Sequence, residues 1–353
     1  MKLKRTLALL LAATSLVAMV GCGGSGTSET GSGSQGGEDT LKVGAIFESL
    51  GTQSFNDDIL AGLQQAEEEL PVELEYIEVT DIASTANSIR TLIAQGCTFL
   101  VIPSSSYRDA MVEVAAEYPD FKFLYLAAAE EGYDNIMSVE YRENEAAFLG
   151  GALAAMLSQT GKIGAVLAVQ EPLQVRFQYG FMAGAYAVDP DCEVTTMFTN
   201  SYSDTNIGKE MATALYEQGC DYVSCFAGAC NLGVFQAAQE AGEGKYCLGA
   251  ATGQFDQAPD KIVASVVKPI DVAVVNVLRD YIENGTFAGG TASVWGLAED
   301  GVTLRYTTMN DELLDSIPQE VLDKVEELKQ QIIDGEITVP GTQEEYEAFT
   351  ASV

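Results

Sequence analysis

The 353-residue sequence carries 52 acidic and 18 basic side chains, a formal net charge of −34, 47% hydrophobic residues and no histidine. Without histidine there is no Ser-His-Asp chemistry, no His-ligated metal and none of the commonest general base, and so acidic a chain makes a poor partner for nucleic acid, whose binding rests on basic surface. Length and apolar content suffice for two domains with cores of their own.

Lys2, Lys4 and Arg5 precede an apolar run from Leu7 to Val20 that ends at Gly21-Cys22. A positive start and a short apolar stretch predict a signal peptide over residues 1–21, because a spanning helix needs roughly 20 apolar residues. Met19-Val20-Gly21-Cys22 resembles a bacterial lipobox, which makes Cys22 the lipidated mature N-terminus and the anchor to the membrane. The plainer alternative is an incidental cysteine after a secretory cleavage site. Residues 22–40 then form the anchor and a tether, since Gly23 to Asp39 is almost entirely Gly, Ser and Thr and cannot bury enough apolar surface to order itself. Its reach is roughly 20–25 Å. Loss of the signal removes three of the 18 basic residues, leaving 15 against 52 acidic ones and a charge of −37, read most simply as a solubility charge.

Leu41 to Phe47 reads as a strand, followed by a helix with Phe55, Ile59, Leu60, Leu63, Ala66 and Leu70 along one side. Further strands are predicted at Val72 to Val79, Thr98 to Pro103, Lys122 to Ala127 and Asn135 to Glu140, with helices near 84–95 and 107–118. A second series has strands at Lys162 to Leu167, Glu193 to Phe198, Asp221 to Phe226, Tyr246 to Gly249 and Ile262 to Val267, with helices near 175–187, 205–218 and 232–242. Two such series imply an α/β protein of two doubly wound parallel sheets, whose ligand lies beyond the carboxyl ends of the strands. The two lobes then share one cleft. Of the cysteines other than Cys22, namely Cys97, Cys192, Cys220, Cys225, Cys230 and Cys247, none has Cys-x-x-Cys spacing. Most read as small buried hydrophobes, although an oxidising compartment would also permit disulfides.

Within this frame Ser54, Phe55 and Asn56 fall where the first strand gives way to the first helix, and the helix-start backbone N–H groups are expected to point outward at the cleft mouth. Ser104, Ser105 and Ser106 follow the strand ending at Pro103 and offer hydroxyls. Phe226 closes its strand ahead of Gly228, a glycine that allows close backbone approach. Phe226 could equally be a core residue, and the plainer alternative for Phe55 is the first core residue of its helix. Arg176 and Lys268 stand out as basic groups in an acidic chain, and Tyr141, Glu143 and Glu145 fall where the lobes join. No phosphate loop or dinucleotide turn is present.

An ordered set of motifs resembles the basic membrane protein family of lipoproteins, which includes purine-nucleoside receptors. They are Ser54-Phe55-Asn56 with Gly62-Leu63, Glu117 to Asp120, Tyr141 to Gly151, Gly180 to Gly184, Ala227-Gly228, Val267-Lys268 with Asp271 to Ala273, and Gly335 to Pro340. The resemblance implies the type I periplasmic-binding-protein fold, with hinge crossings near 140–143, 266–269 and 294–298. The N-lobe would comprise 41–142 plus 268–295, the C-lobe 143–267 plus 296–340, and 341–353 a C-terminal tail. It further implies an extracytoplasmic, non-enzymatic, monomeric receptor without cofactor or metal, serving an ABC permease and ATPase complex and capturing a small planar polar ligand. Phe55 would stack on that ligand, and Lys268 would meet a hydroxyl or carboxylate. Nucleoside-binding members carry aspartates where this chain has Ala127 and Ala251, and Gln254 and Asp256 are the nearest replacements. A sensor without transport role, and a receptor for sugars or other solutes, remain open alternatives.

Overall fold

The computed structural model describes residues 40–48, 50–51, 55–251 and 253–352. The predicted signal peptide, the Cys22 anchor, all but the last residue of the tether, and Ser54 lie outside the described residues.

The chain begins with β1 (Leu41–Phe47), α1 (Phe55–Glu69), β2 (Val72–Glu78), α2 (Thr85–Ala94), β3 (Phe99–Ile102), α3 (Arg108–Glu117), β4 (Lys122–Tyr125) and β5 (Ile136–Tyr141). Helix α1 forms because Ile59, Gly62, Leu63 and Ala66 recur at helical spacing and are buried together. Next come α4 (Glu143–Leu157), β6 (Lys162–Leu167), α5 (Pro172–Val188), β7 (Glu193–Phe198), α6 (Thr205–Glu217), β8 (Tyr222–Phe226), α7 (Asn231–Glu240), β9 (Tyr246–Ala251) and β10 (Ile262–Val267). Proline at its first position starts α5. Asp204 caps α6 by accepting from the amides of Asn206 and Ile207. Then α8 (Ile270–Asn284), β11 (Ala292–Trp295), β12 (Thr303–Tyr306), α9 (Asp311–Asp315), α10 (Gln319–Ile333) and α11 (Gln343–Ser352) complete the chain.

The expected two sheets are present. One has the order β11-β5-β4-β3-β1-β2 and the other β12-β10-β9-β8-β6-β7. Every described pairing is parallel except β10 with β12, and the runs Phe99–Ile102 and Tyr222–Phe226 are buried throughout, as strands covered on both faces must be. The chain passes between sheets three times, at Arg142 between β5 and α4, at Lys268-Pro269 between β10 and α8, and over 296–302 between β11 and β12. Helix α8 returns to the first lobe and packs on α1. The C-terminal segment is no bare tail, since α11 docks on α5 through Tyr179 against Tyr346 and a hydrogen bond from the Tyr186 hydroxyl to the Thr350 carbonyl.

Helix α4 is buried from Glu143 to Ala155 on every side, between α5, α10 and the second sheet. Its contact with α5 is the most extensive helix pairing in the molecule, and it depends on missing side chains. A Cβ at Gly184 would fall inside the van der Waals shell of the Phe148 carbonyl, and one at Gly180 would do the same to Asn144. The backbones therefore touch directly.

Asp58, near the start of α1, is 5% exposed, and its Oδ2 finds no partner. Burial pushes this carboxyl up to about 8, helped by the charges of Asp271 and Asp57 and opposed by Arg305.

Gly184→Ala must push α4 and α5 apart, so it should destabilise the chain by about 1–3 kcal/mol, the ordinary penalty of overpacking, read as a lower urea midpoint. For Asp58 the folded pKa lies above the unfolded value of 3.8, so the folded state holds a proton that the unfolded state has lost. Wild-type stability should fall as pH rises from about 4 to about 8, by up to about 1.4 kcal/mol per unit. Asp58→Asn should remove that slope and be more stable than wild type at pH 8, as measured by urea unfolding at pH 5 and pH 8.

Candidate functional site

The loops after the carboxyl ends of β1, β3 and β4 in one sheet and β6, β8 and β9 in the other carry most of the residues singled out in the sequence, the usual place for ligands of open α/β sheets. The floor between them is built from the crossings. Tyr141, the last residue of β5, meets Trp295 of β11 edge to face at 5.9 Å and Phe55 of α1 at 6.3 Å. Lys268, on the second crossing, places its Nζ 5.1 Å from the ring centre of Phe55, 5.0 Å from that of Tyr141 and 5.7 Å from that of Phe177 on α5. Cation–π contacts of this kind contribute about 0.5–1 kcal/mol when exposed and about 2 kcal/mol when desolvated. The same Nζ donates to Glu143 Oε1 at 2.7 Å. Arg176 donates from Nε to the other oxygen of Glu143 at 3.0 Å, and its Nη1 lies 3.2 Å from Glu140. Glu143 is 1% exposed, so both of its oxygens are matched by cations.

Glu145, in the first turn of α4, accepts from the Leu297 amide at 2.8 Å and so holds the third crossing. Burial raises its pKa, against the lowering effect of that amide and of Arg142. Burial also raises the Tyr141 phenol, whose hydroxyl finds no partner.

Phe55 opens α1 with its ring half-buried, and Asn56 follows it. Ser104 caps a 3-10 turn by accepting from the Ser106 amide and donates to Glu48 Oε1 at 2.7 Å. Ser105, exposed, begins that turn. Gly228 begins the turn after β8 at φ +60, and a Cβ there would stand 2.8 Å from the Tyr202 carbonyl. Gln254 is buried at φ 54 and accepts from Asn231 Nδ2 at 3.1 Å. Asp256 is exposed and accepts from the Gln257 side chain. Ala251 also has a positive φ, of 56, so both it and Gln254 hold a backbone region costly for residues with a Cβ.

Phe226 requires a correction. It is 3% exposed and lies behind Phe177, stacked on it at 4.5 Å and 13°, with Phe181 at its edge. Phe177 is the C-lobe ring that reaches Lys268, because α5 covers the end of β8. The spacing of Phe177 and Phe181 on one helix face, just after β6, was the available signal for it. Glu48, at the end of β1, and Tyr202, which hydrogen-bonds Glu171, were not singled out either. The Tyr202 phenol is raised by burial first, then by Glu171, with a further contribution from Glu48 in the opposite lobe. Ala127 and Ala251 contribute no polar side chain at their strand ends.

The six described cysteines are free thiols, five of them buried, and burial pushes Cys97 and Cys192 up to about 11. The five buried ones pack within the hydrophobic cores. A broad surface depression of about 920 Å³ lies at the opposite, amino ends of the first-lobe strands, lined by Lys42, Glu73, Lys122 and Tyr281. Lys42 is spent there on Glu73 at 2.9 Å, and no side chains converge on that space from both lobes.

Several known proteins share this organisation. The chain is 28% identical over 345 residues to basic membrane protein A2 of Borrelia garinii subsp. bavariensis, covering 97% of this chain and 98% of the relative. It is 29% identical over 324 residues to basic membrane protein A of Borreliella burgdorferi, covering 91% and 93%. Among solved structures, an ABC transporter solute-binding protein from Aeropyrum pernix K1 superposes with a TM-score of 0.77 at 27% identity, over 87% of this chain and 96% of that one. Residues 42–343, which hold both sheets, all three crossings and the ring-lined floor between them, match the family of PnrA-like ABC transporter substrate-binding proteins, and to that family the chain belongs.

Proposed function

We propose that the chain is an extracytoplasmic lipoprotein, anchored through Cys22, that captures a small planar polar solute of nucleoside or nucleobase type between its lobes and delivers it to an ABC permease and ATPase. The observation that carries this reading is the half-buried ring of Phe55 beside Lys268, where rings of both lobes converge. An aromatic face at a helix N-terminus suits a flat heterocycle. The Lys268 ammonium and the Ser104 hydroxyl supply polar partners, and Asn56, Gln254 and the backbone beside Gly228 provide further hydrogen-bonding groups around the space. Ser54, Ser105 and Asp256 complete the proposed contact set at its rim, while Phe226 acts from behind Phe177. The absence of carboxylates at Ala127 and Ala251 makes the ligand's polar pattern the open variable, so sugars and amino acids belong in the same screen.

A thermal-shift screen of nucleosides, bases, sugars and amino acids tests the ligand class. A true ligand at a hundredfold excess over its Kd should stabilise the folded chain by about 2.7 kcal/mol, and stabilisation by a sugar with none by any nucleoside would replace the nucleoside reading. Phe55→Ala should weaken binding of the ligand so found at least tenfold with a near-normal melt, since stacking contributes about 1–3 kcal/mol. A core residue would instead lose about 3–5 kcal/mol of stability. Cys22→Ser should move the protein from the membrane fraction to the soluble fraction, and equal retention would remove the anchor.

A further inference from the structure

We propose that Glu143 is a positioning residue of the interlobe site: it holds the Lys268 ammonium at the point where the ring faces of the two lobes meet. The three groups come from three different parts of the chain. Glu143 opens α4 just after the first crossing, Lys268 lies on the second, and Arg176 projects from α5. One carboxylate, 1% exposed, is shared between the two cations at 2.7 and 3.0 Å. Giving up Lys268 would leave one oxygen of a carboxylate sealed from water without its charged partner, which is costly even with Arg176 still on the other. Lys268 is therefore not free to swing toward a solute, as an exposed lysine would be. It stays where Glu143 fixes it and can offer only its remaining N–H donors.

The consequence lies in what surrounds the ammonium. Phe55 comes from the first lobe, Phe177 from the second and Tyr141 from the strand that joins them, and all three rings lie within 5.7 Å of the same Nζ. A change in lobe angle that carries Phe55 away from Phe177 must break at least one of these contacts. The role of Glu143 is to fix the cation among these rings. The first turn of α4 adds a second tie, because Glu145 holds the Leu297 amide of the third crossing at 2.8 Å.

The inference rests on the proposed ligand site only for its binding arm, so the test has two arms. In the full mature chain with isotope-labelled lysine, the Lys268 side-chain resonance, assigned by its disappearance in Lys268→Arg, should be displaced by the ring currents of the aromatic groups. Glu143→Gln should return it toward the position of the exposed lysines. Glu143→Asp keeps the charge but draws the oxygens back by one methylene, and it should shift the resonance in the same direction, which keeps the test decisive if the glutamine variant fails to fold. An unmoved Lys268 resonance in either folded variant would overturn the proposal. Guanosine is the probe for the second arm, and Glu143→Gln should weaken its binding at least tenfold. Unchanged guanosine affinity alongside a displaced Lys268 would overturn the positioning role in binding. If wild type does not bind guanosine, guanosine is not its ligand, the wider nucleoside reading is decided by the thermal-shift screen, and the lysine resonance alone decides the placement of Lys268.

Discussion

A carboxylate sealed from water has to be answered by positive charge, and the answer in this chain comes from two places far apart in sequence. Glu143 takes one cation from Lys268, 125 residues downstream, and another from Arg176 on the neighbouring helix. Because Lys268 lies on one crossing and Glu143 directly follows another, the pairing sets the distance between two of the three strands of chain joining the lobes. The acidic first turn of α4 suits its position, since carboxylates are favoured at a helix N-terminus. Pairs of this kind add little net stability compared with apolar packing, yet losing one partner is costly. Their effect is to fix geometry, and here it is the geometry of the floor on which the aromatic groups gather.

The rest of the second lobe is arranged to keep that floor steady. Helix α4 carries Glu143 and Glu145 at one end and is clasped along its length by α5 at backbone distance. Helix α5 supplies Arg176 and Phe177, so the side chains that meet Lys268 and Glu143 from this lobe stand on two helices that cannot slide apart. Interiors packed this closely move as rigid bodies, which concentrates any change of lobe angle in the short crossings.

Much of this was legible in the sequence, for identifiable reasons. Strands covered on both faces read as continuous apolar runs, and α1 and α6 carry a one-sided apolar stripe, so the alternation of strands and helices, and with it two parallel sheets, could be drawn from periodicity. Helix α4 could not. Its surroundings are apolar on all sides, so Ala-Ala-Phe-Leu-Gly-Gly-Ala-Leu shows no stripe, and its paired glycines look like a break when they are in fact the contact surface. The site was legible in part. Phe55, Ser104 and Lys268 could be singled out because strand ends and rare basic residues can be read directly. Phe226 was singled out and Phe177 passed over because a strand-terminal ring looks exposed until the helix that covers it is known. That Lys268 is held by a buried carboxylate 125 residues away has no local signature at all.

The first sheet closes late. Its edge strand β11 pairs with β5, Ala292 opposite Ser138 and Trp295 opposite Tyr141, although every strand of the second sheet except β12 lies between them in the chain. Until those last residues arrive, β5 is a bare sheet edge offering unpaired backbone groups, the kind of surface that recruits strands from other chains. Contacts of such long range are also slow to form, because a long loop must be closed before they give anything back. The first lobe therefore cannot complete its sheet until a strand that follows almost all of the second sheet in the chain has joined it.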